Sequence, residues 1–167
     1  YFKGHSRLGN DYKQLNMKVL KFGGTSVGSA DSIRTVVEII RGQYEPLVVV
    51  FSALSGITNM LNECLELASE KHDKYLSVSD EIEKRHVAMA AQLLKPEGAL
   101  NVIGKIKALK TRLIEILGGI SNIGEITLRS TDLVLGFGEQ MSIQIIYAVM
   151  TENFADVRHI DARSLIF

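Results

Sequence analysis

Lys21-Phe22-Gly23-Gly24-Thr25-Ser26-Val27-Gly28 is the stretch of this chain whose residue types and spacing best suit chemistry. It follows a β-like run, Lys18 to Phe22, and precedes a helical pattern. Two adjacent glycines let backbone N–H groups point into the turn and let a ligand come close. The helix that follows contributes its positive N-terminal end, so the whole suits phosphate. Lys21, at the strand end, can place an ammonium beside a transferring phosphoryl group, and Thr25 and Ser26 add hydroxyl donors. It is not a Walker loop, because no Gly-Lys-Ser/Thr closes it, and the Gly-x-Gly-x-x-Gly dinucleotide spacing is absent. Physics alone leaves an equal alternative: a tight strand-to-helix turn beside a solvated lysine.

Other polar residues say less by themselves. Ser52 and Thr58 suit a turn and a helix cap. Glu139, after Gly136-Phe137-Gly138, would favour the start of a helix. His86 and Cys64 read as packing or surface residues, His159 as structural, and Arg129 has no assigned role. Cys64 is the one cysteine, so an internal disulfide is excluded, and no Cys/His cluster has zinc spacing.

The elements that must position these residues follow from periodicity. From Ser29 the apolar residues Ile33, Val36, Val37 and Ile40 fall on one helical face, with Ser29 and Asp31 as caps and Gly42 at the end. Pro46 introduces Leu47 to Phe51, apolar throughout, which predicts a strand buried on both faces. Strand, glycine turn, helix and strand form a βαβ unit. Beyond Ser52 a stripe of Ile57, Met60, Leu61, Cys64, Leu65 and Ala68 predicts a helix ending near Lys71 and His72. Further helices are expected over Asp80 to Leu94, stopped by Pro96, and from about Asn101 to Leu117, closed by Gly118-Gly119. Thr127 to Leu135 and Ser142 to Met150 read as two helices flanking Gly136 to Glu139, and Asp156 to Ile160 alternates like a returning strand.

Composition sets the class. The 167 residues carry 19 Lys plus Arg and 19 Asp plus Glu, a net charge of zero, which gives no basic stripe for nucleic acid or an anionic membrane. Hydrophobic residues at 46% supply a core, and the apolar runs are too short to span a bilayer. With no secretory signal pattern, a reducing cytoplasm is the expected compartment. Residues 1 to 16 are polar and aperiodic, and Met17 opens the first strand-like segment. They read as expression-tag residues, leaving 17 to 167 as the folded part. Three strands for about six helices, and an apolar Leu165-Ile166-Phe167, suggest an α/β sheet cut short.

Three blocks in order carry a resemblance. Val19 to Val27 (VLKFGGTSV) resembles the signature of the aspartate kinases, within a few residues of Met17. Ser52-Ala53-Leu54-Ser55-Gly56-Ile57-Thr58-Asn59 is similar to their Ser-Ala-x-x-x-Ile/Val-Thr-Asn loop, and Gly138-Glu139-Gln140-Met141-Ser142 to their Gly-Glu-x-x-Ser element. Gly119-Ile120-Ser121 and His159 to Arg163 match less specific text, so the resemblance runs from Met17 to Phe167. It implies an α/β, amino-acid-kinase-like (carbamate-kinase-like) fold, a mostly parallel sheet between helix layers, present here as its N-terminal part.

The resemblance also implies an activity: transfer of the ATP γ-phosphoryl, with Mg2+, to the side-chain carboxylate of L-aspartate. That is the first step of lysine, threonine and methionine biosynthesis. Residue by residue, Lys21 would be catalytic, neutralising the phosphates, and Gly23, Gly24, Thr25 and Ser26 would cradle them. Ser52 and Thr58 would line the aspartate pocket, and Glu139 would receive the substrate α-ammonium in a charge-assisted hydrogen bond. No metal-ligating residue is implied. The family's Arg-Gly-Gly-Ser-Asp-like element, downstream nucleotide loop and regulatory domains are not in this chain; Arg163-Ser164 is not followed by Asp. The expectation is therefore a portion inactive alone, whose full-length parent is a homo-oligomer through those regulatory domains. The wording around Gly119 and Glu139 leans towards a parent fused to homoserine dehydrogenase. The competing readings are a sister kinase for glutamate, acetylglutamate or carbamate, and a non-catalytic amino-acid-binding module.

Overall fold

β1 (Lys18–Phe22) and β2 (Leu47–Phe51) lie parallel, with Lys18 opposite Leu47 and Phe22 opposite Phe51. Parallel neighbours need a crossover. It is supplied by a 3-10 turn at Gly24–Val27 and by α1 (Ala30–Arg41), whose buried face is Ala30, Ile33, Val36 and Val37. The Ser29 side chain accepts from the Ser32 amide at 3.1 Å and so fixes where α1 begins. This computed structural model describes residues 17–165. The tag expectation for residues 1 to 16, and Ile166 and Phe167, lie outside them.

Four long helices follow: α2 (Ile57–Ser69), α3 (Lys74–Leu93), α4 (Pro96–Ile123) and α5 (Leu128–Asn153). They pack on one another, and α2 and α5 close over the loop at the end of β2. Ile57, Leu61, Ile106, Leu113, Phe137, Met141 and Ile145 are the fully buried centre of that cluster. α5 is one helix long and apolar enough to cross a membrane by length and composition, contrary to the reading of its short runs; half of that window is buried.

Several boundaries differ from the sequence reading. α3 starts at Lys74 rather than Asp80, because Tyr75 and Val78 extend its buried face. Pro96 opens α4 at its first position, where a missing N–H costs nothing, and the helix begins there instead of near Asn101. Gly118-Gly119 do not close α4, which continues to Ile123 and ends on Gly124 at φ 79°. Gly136 and Gly138 do not divide two helices; both sit inside α5, which begins with a Thr127–Ser130 capping box. Asp156 to Ile160 forms no strand, and β2 is not buried on both faces: Val48 and Val50 stay 42% and 44% exposed. The sheet has two strands among the described residues, and Val48 and Val50 border an open cleft.

Candidate functional site

The C-terminal ends of β1 and β2 point to the same edge, and the three sequence blocks gather there. The Ser52 amide donates to the Phe22 carbonyl at 3.2 Å, which ties the start of the β2 loop to the strand end that carries Lys21. The glycine turn packs on the same loop. A Cβ on Gly24 would lie 3.4 Å from the Ala53 carbonyl oxygen, and one on Gly28 only 3.0 Å from the Ser55 Cβ. At Gly23 a Cβ would meet nothing within 4 Å, so the backbone there is open to an approaching group.

The turn departs from the simple picture of a glycine pair at a helix N-terminus. Five residues separate Gly24 from the start of α1, whose Ser29 cap engages an amide of its first turn. The amides facing the glycine pair belong to the 3-10 turn, in which the Ser26 N–H reaches the Gly23 carbonyl at 3.0 Å. The Gly24 and Thr25 amides precede that first bond, as the leading amides of any helical turn must, and donate to nothing among the described residues.

α5 brings the third block to the loop. The Ser142 hydroxyl lies 2.9 Å from the Ser52 carbonyl and 3.2 Å from that of Glu139. Gly138 permits this approach: a Cβ there would come within 2.9 Å of the Ala53 Cβ and 3.4 Å of Ile57 Cγ2. Glu139, next in sequence, is exposed and borders a cleft of about 1140 Å3 between β2, α5 and the Phe154–Leu165 segment. Lys21, the glycine pair, Ser52 and Thr58 do not line that cleft. Across it, hydrogen bonds from Arg163 hold the Asp161 carboxyl down at about 2.

Lys21, Thr25, Ser26, Ser52, Thr58 and Glu139 share one property. No hydrogen bond or ion pair engages any of these six side chains among the described residues. Elsewhere, the helical hydroxyls of Thr35, Ser77, Thr111 and Thr151 turn back onto carbonyls of their own helix. Lys18, on the same strand as Lys21, pairs with Glu45. Thr58 stands in the first turn of α2, behind Gly56 at φ 79°. The edge therefore presents an ammonium, four hydroxyls and two amides with unused hydrogen-bonding capacity, and the Glu139 carboxylate faces the adjoining cleft. Open α/β sheets take ligands at this end of their strands.

The sequence reading missed Arg85 and the inward role of Ser142. Arg85 on α3 donates to the Ser55 carbonyl at 2.8 Å. Its one sequence signal is a charge three residues past Ile82 on the buried side of that helix. The two residues first read as packing or surface side chains, Cys64 and His86, are both fully buried.

The family model of the amino acid kinase family matches residues 16–167. The chain belongs to the amino acid kinase family. The chain is 32% identical over 147 residues to the chloroplastic bifunctional aspartokinase/homoserine dehydrogenase of Daucus carota, covering 87% of this chain and 16% of that protein. It is 31% identical over 148 residues to the aspartokinase of Chlamydia trachomatis, 89% of this chain and 31% of that one. A crystal structure of Escherichia coli aspartokinase III in complex with aspartate and ADP superposes with a TM-score of 0.70 at 25% identity, over 80% of this chain and 28% of the other. The chain thus spans between a sixth and a third of the length of these relatives. The fold is the expected one: the helix-rich part of an amino acid kinase domain with a small parallel sheet.

Proposed function

We propose that this chain is the N-terminal portion, residues 17 to 167, of an aspartate kinase catalytic domain, with residues 1 to 16 an expression tag. The observation that carries the reading is the meeting of three segments, which between them carry six unengaged polar side chains, at the C-terminal edge of a parallel strand pair. Lys21, the open Gly23-Gly24 backbone, Thr25 and Ser26 receive the phosphates of ATP. Ser52, Thr58 and Glu139 receive L-aspartate, whose side-chain carboxylate takes the γ-phosphoryl group to give 4-phospho-L-aspartate. The donor set fits a polyphosphate: one uncommitted ammonium, two hydroxyls, and amides at Gly24 and Thr25 with no acceptor of their own. Mg2+ would arrive on the nucleotide, because this ion is usually held by substrate phosphates and water with one or two carboxylates rather than by an all-protein cage.

In such a reaction the protein does little covalent work, and positioning with charge stabilisation dominates. Lys21 offsets the charge that develops on the transferring group. Glu139 binds the α-ammonium and fixes which end of the amino acid faces the phosphates. The chain alone turns over no substrate, because the Arg-Gly-Gly-Ser-Asp-like element is not among its residues. The parent works in the cytoplasm, in lysine, threonine and methionine biosynthesis, as a homo-oligomer. Calorimetric titration with L-aspartate tests the pocket: Glu139→Gln should weaken binding by about tenfold or more. Equal affinity for Glu139→Gln and the wild type would overturn the assignment, and aspartate-dependent ADP release by the purified chain would overturn its inactivity.

A further inference from the structure

The Ser52–Gly56 loop is pinned at both ends by side chains from two different helices. At its start the Ser142 hydroxyl of α5 reaches the Ser52 carbonyl. At its far turn Arg85 of α3 donates through Nη2 to the Ser55 carbonyl at 2.8 Å, and its Nη1 lies 3.3 Å from the Met60 sulfur. A carboxylate four residues N-terminal is the usual helical partner of an arginine, and Glu81 stands there. Arg85 nevertheless turns to the loop, and Glu81 pairs with Lys84. Gly56 completes the fit. It adopts φ 79°, and a Cβ there would come within 3.4 Å of the Arg85 Nη1. A guanidinium forks two donors in a fixed plane, so one side chain can hold the turn and the first turn of α2 together.

We propose that Arg85 is a positioning residue: it touches no reacting group but sets the loop that carries Ser52 and leads into Thr58. The proposal rests on the aspartate-pocket reading of those two residues. Its consequence lies in binding rather than in folding. Arg85 is half-buried, and the helix core beneath the loop does not depend on it. Without the guanidinium, the Ser55 carbonyl turns to water and the Gly56 turn samples other conformations. Ser52 and Thr58 are then no longer held at one spacing.

The test uses the 167-residue chain labelled with 15N. Arg85→Ala should shift or broaden the amide resonances of Ser55, Gly56 and Ile57 while those of α4 stay in place. It should weaken L-aspartate binding about tenfold, the worth of a charge-assisted hydrogen bond. Arg85→Lys, which keeps one donor in reach, should restore part of both, and ethylguanidinium added to Arg85→Ala should return the loop resonances towards their wild-type positions. A variant that merely loosens the fold would shift resonances throughout and would not respond to ethylguanidinium. Either that result or unmoved loop resonances in Arg85→Ala overturns the proposal. If the wild-type chain binds no L-aspartate while the loop resonances still move and are rescued, the substrate reading fails and the hold of Arg85 on the loop stands.

Discussion

Replacing Gly138 by alanine puts a single methyl group where α5 meets the β2 loop, and the same change at Gly104 provides its control. Both glycines lie inside helices, so alanine brings each the same propensity gain, about 1 kcal/mol. At Gly104 the new Cβ meets nothing within 4 Å, and the substitution should stabilise by about that amount. At Gly138 it would sit 2.9 Å from the Ala53 Cβ, 3.3 Å from Leu61 Cδ1 and 3.4 Å from Ile57 Cγ2. Methyl carbons settle at about 3.5–4.0 Å, so α5 or the loop must retreat by roughly half an ångström or more. Overpacking of this kind costs about 1–3 kcal/mol. The propensity terms cancel, so Gly138→Ala should be less stable than Gly104→Ala by about 1–3 kcal/mol, or a few degrees to about 10 °C in Tm for a chain of this size. Urea unfolding followed by circular dichroism at 222 nm reads the difference directly. Equal stabilisation of the two variants would mean that α5 does not press on the loop, and the joining of the three segments would fall with it.

Two other predictions concern the buried groups. His86 has Nδ1 2.7 Å from the Ile82 carbonyl, and its Nε2 has no partner among the described residues. Burial holds its imidazole below the ordinary 6.5, so the unfolded chain binds the extra proton as the pH falls. The stability His86 contributes should be complete above pH 6.5 and decline below it, at a limiting slope of about 1.4 kcal/mol per pH unit, until folded His86 itself titrates. His86→Leu should flatten that decline in urea midpoints taken from pH 7.5 to 5, and an unchanged profile would assign the decline to other groups. Burial also pushes the Cys64 thiol up to about 11, so iodoacetamide at pH 8 should leave the native chain unlabelled and modify it readily in urea. Rapid native labelling would show that α2 and α3 do not close over it.

What the sequence made legible was local. β1, α1 and β2 are each set by a short periodic run with its own cap or turn, and the structure has them within a residue or two of the expected places. The glycine punctuation misled where packing outweighed propensity. A glycine costs a helix about 1 kcal/mol, which α5 recovers by seating Gly138 on Ala53 and burying Phe137 and Met141 on either side. The strand expected at Asp156 to Ile160 has the right alternation, but a strand needs a neighbour, and none pairs with it among the described residues. The apolar run of β2 announced two-sided burial, but Val48 and Val50 face an open cleft with no helix layer packed on them among the described residues. Of the proposed site, Lys21, the glycine pair and Glu139 are named from residue type and family resemblance. Arg85 was not, because its partner is a backbone carbonyl 30 residues away on a loop whose position only the packed helices determine.

The central claim is that three separated segments form one site, and a two-step titration of the 15N-labelled chain tests it most directly. Saturating L-aspartate should move the amides around Ser52, Thr58 and Glu139, and ADP added next should move Gly23, Gly24 and Thr25, with α4 unaffected by either. Saturable shifts confined to those segments are the predicted result. Shifts that miss them, or none with either ligand at millimolar concentration, would contradict it.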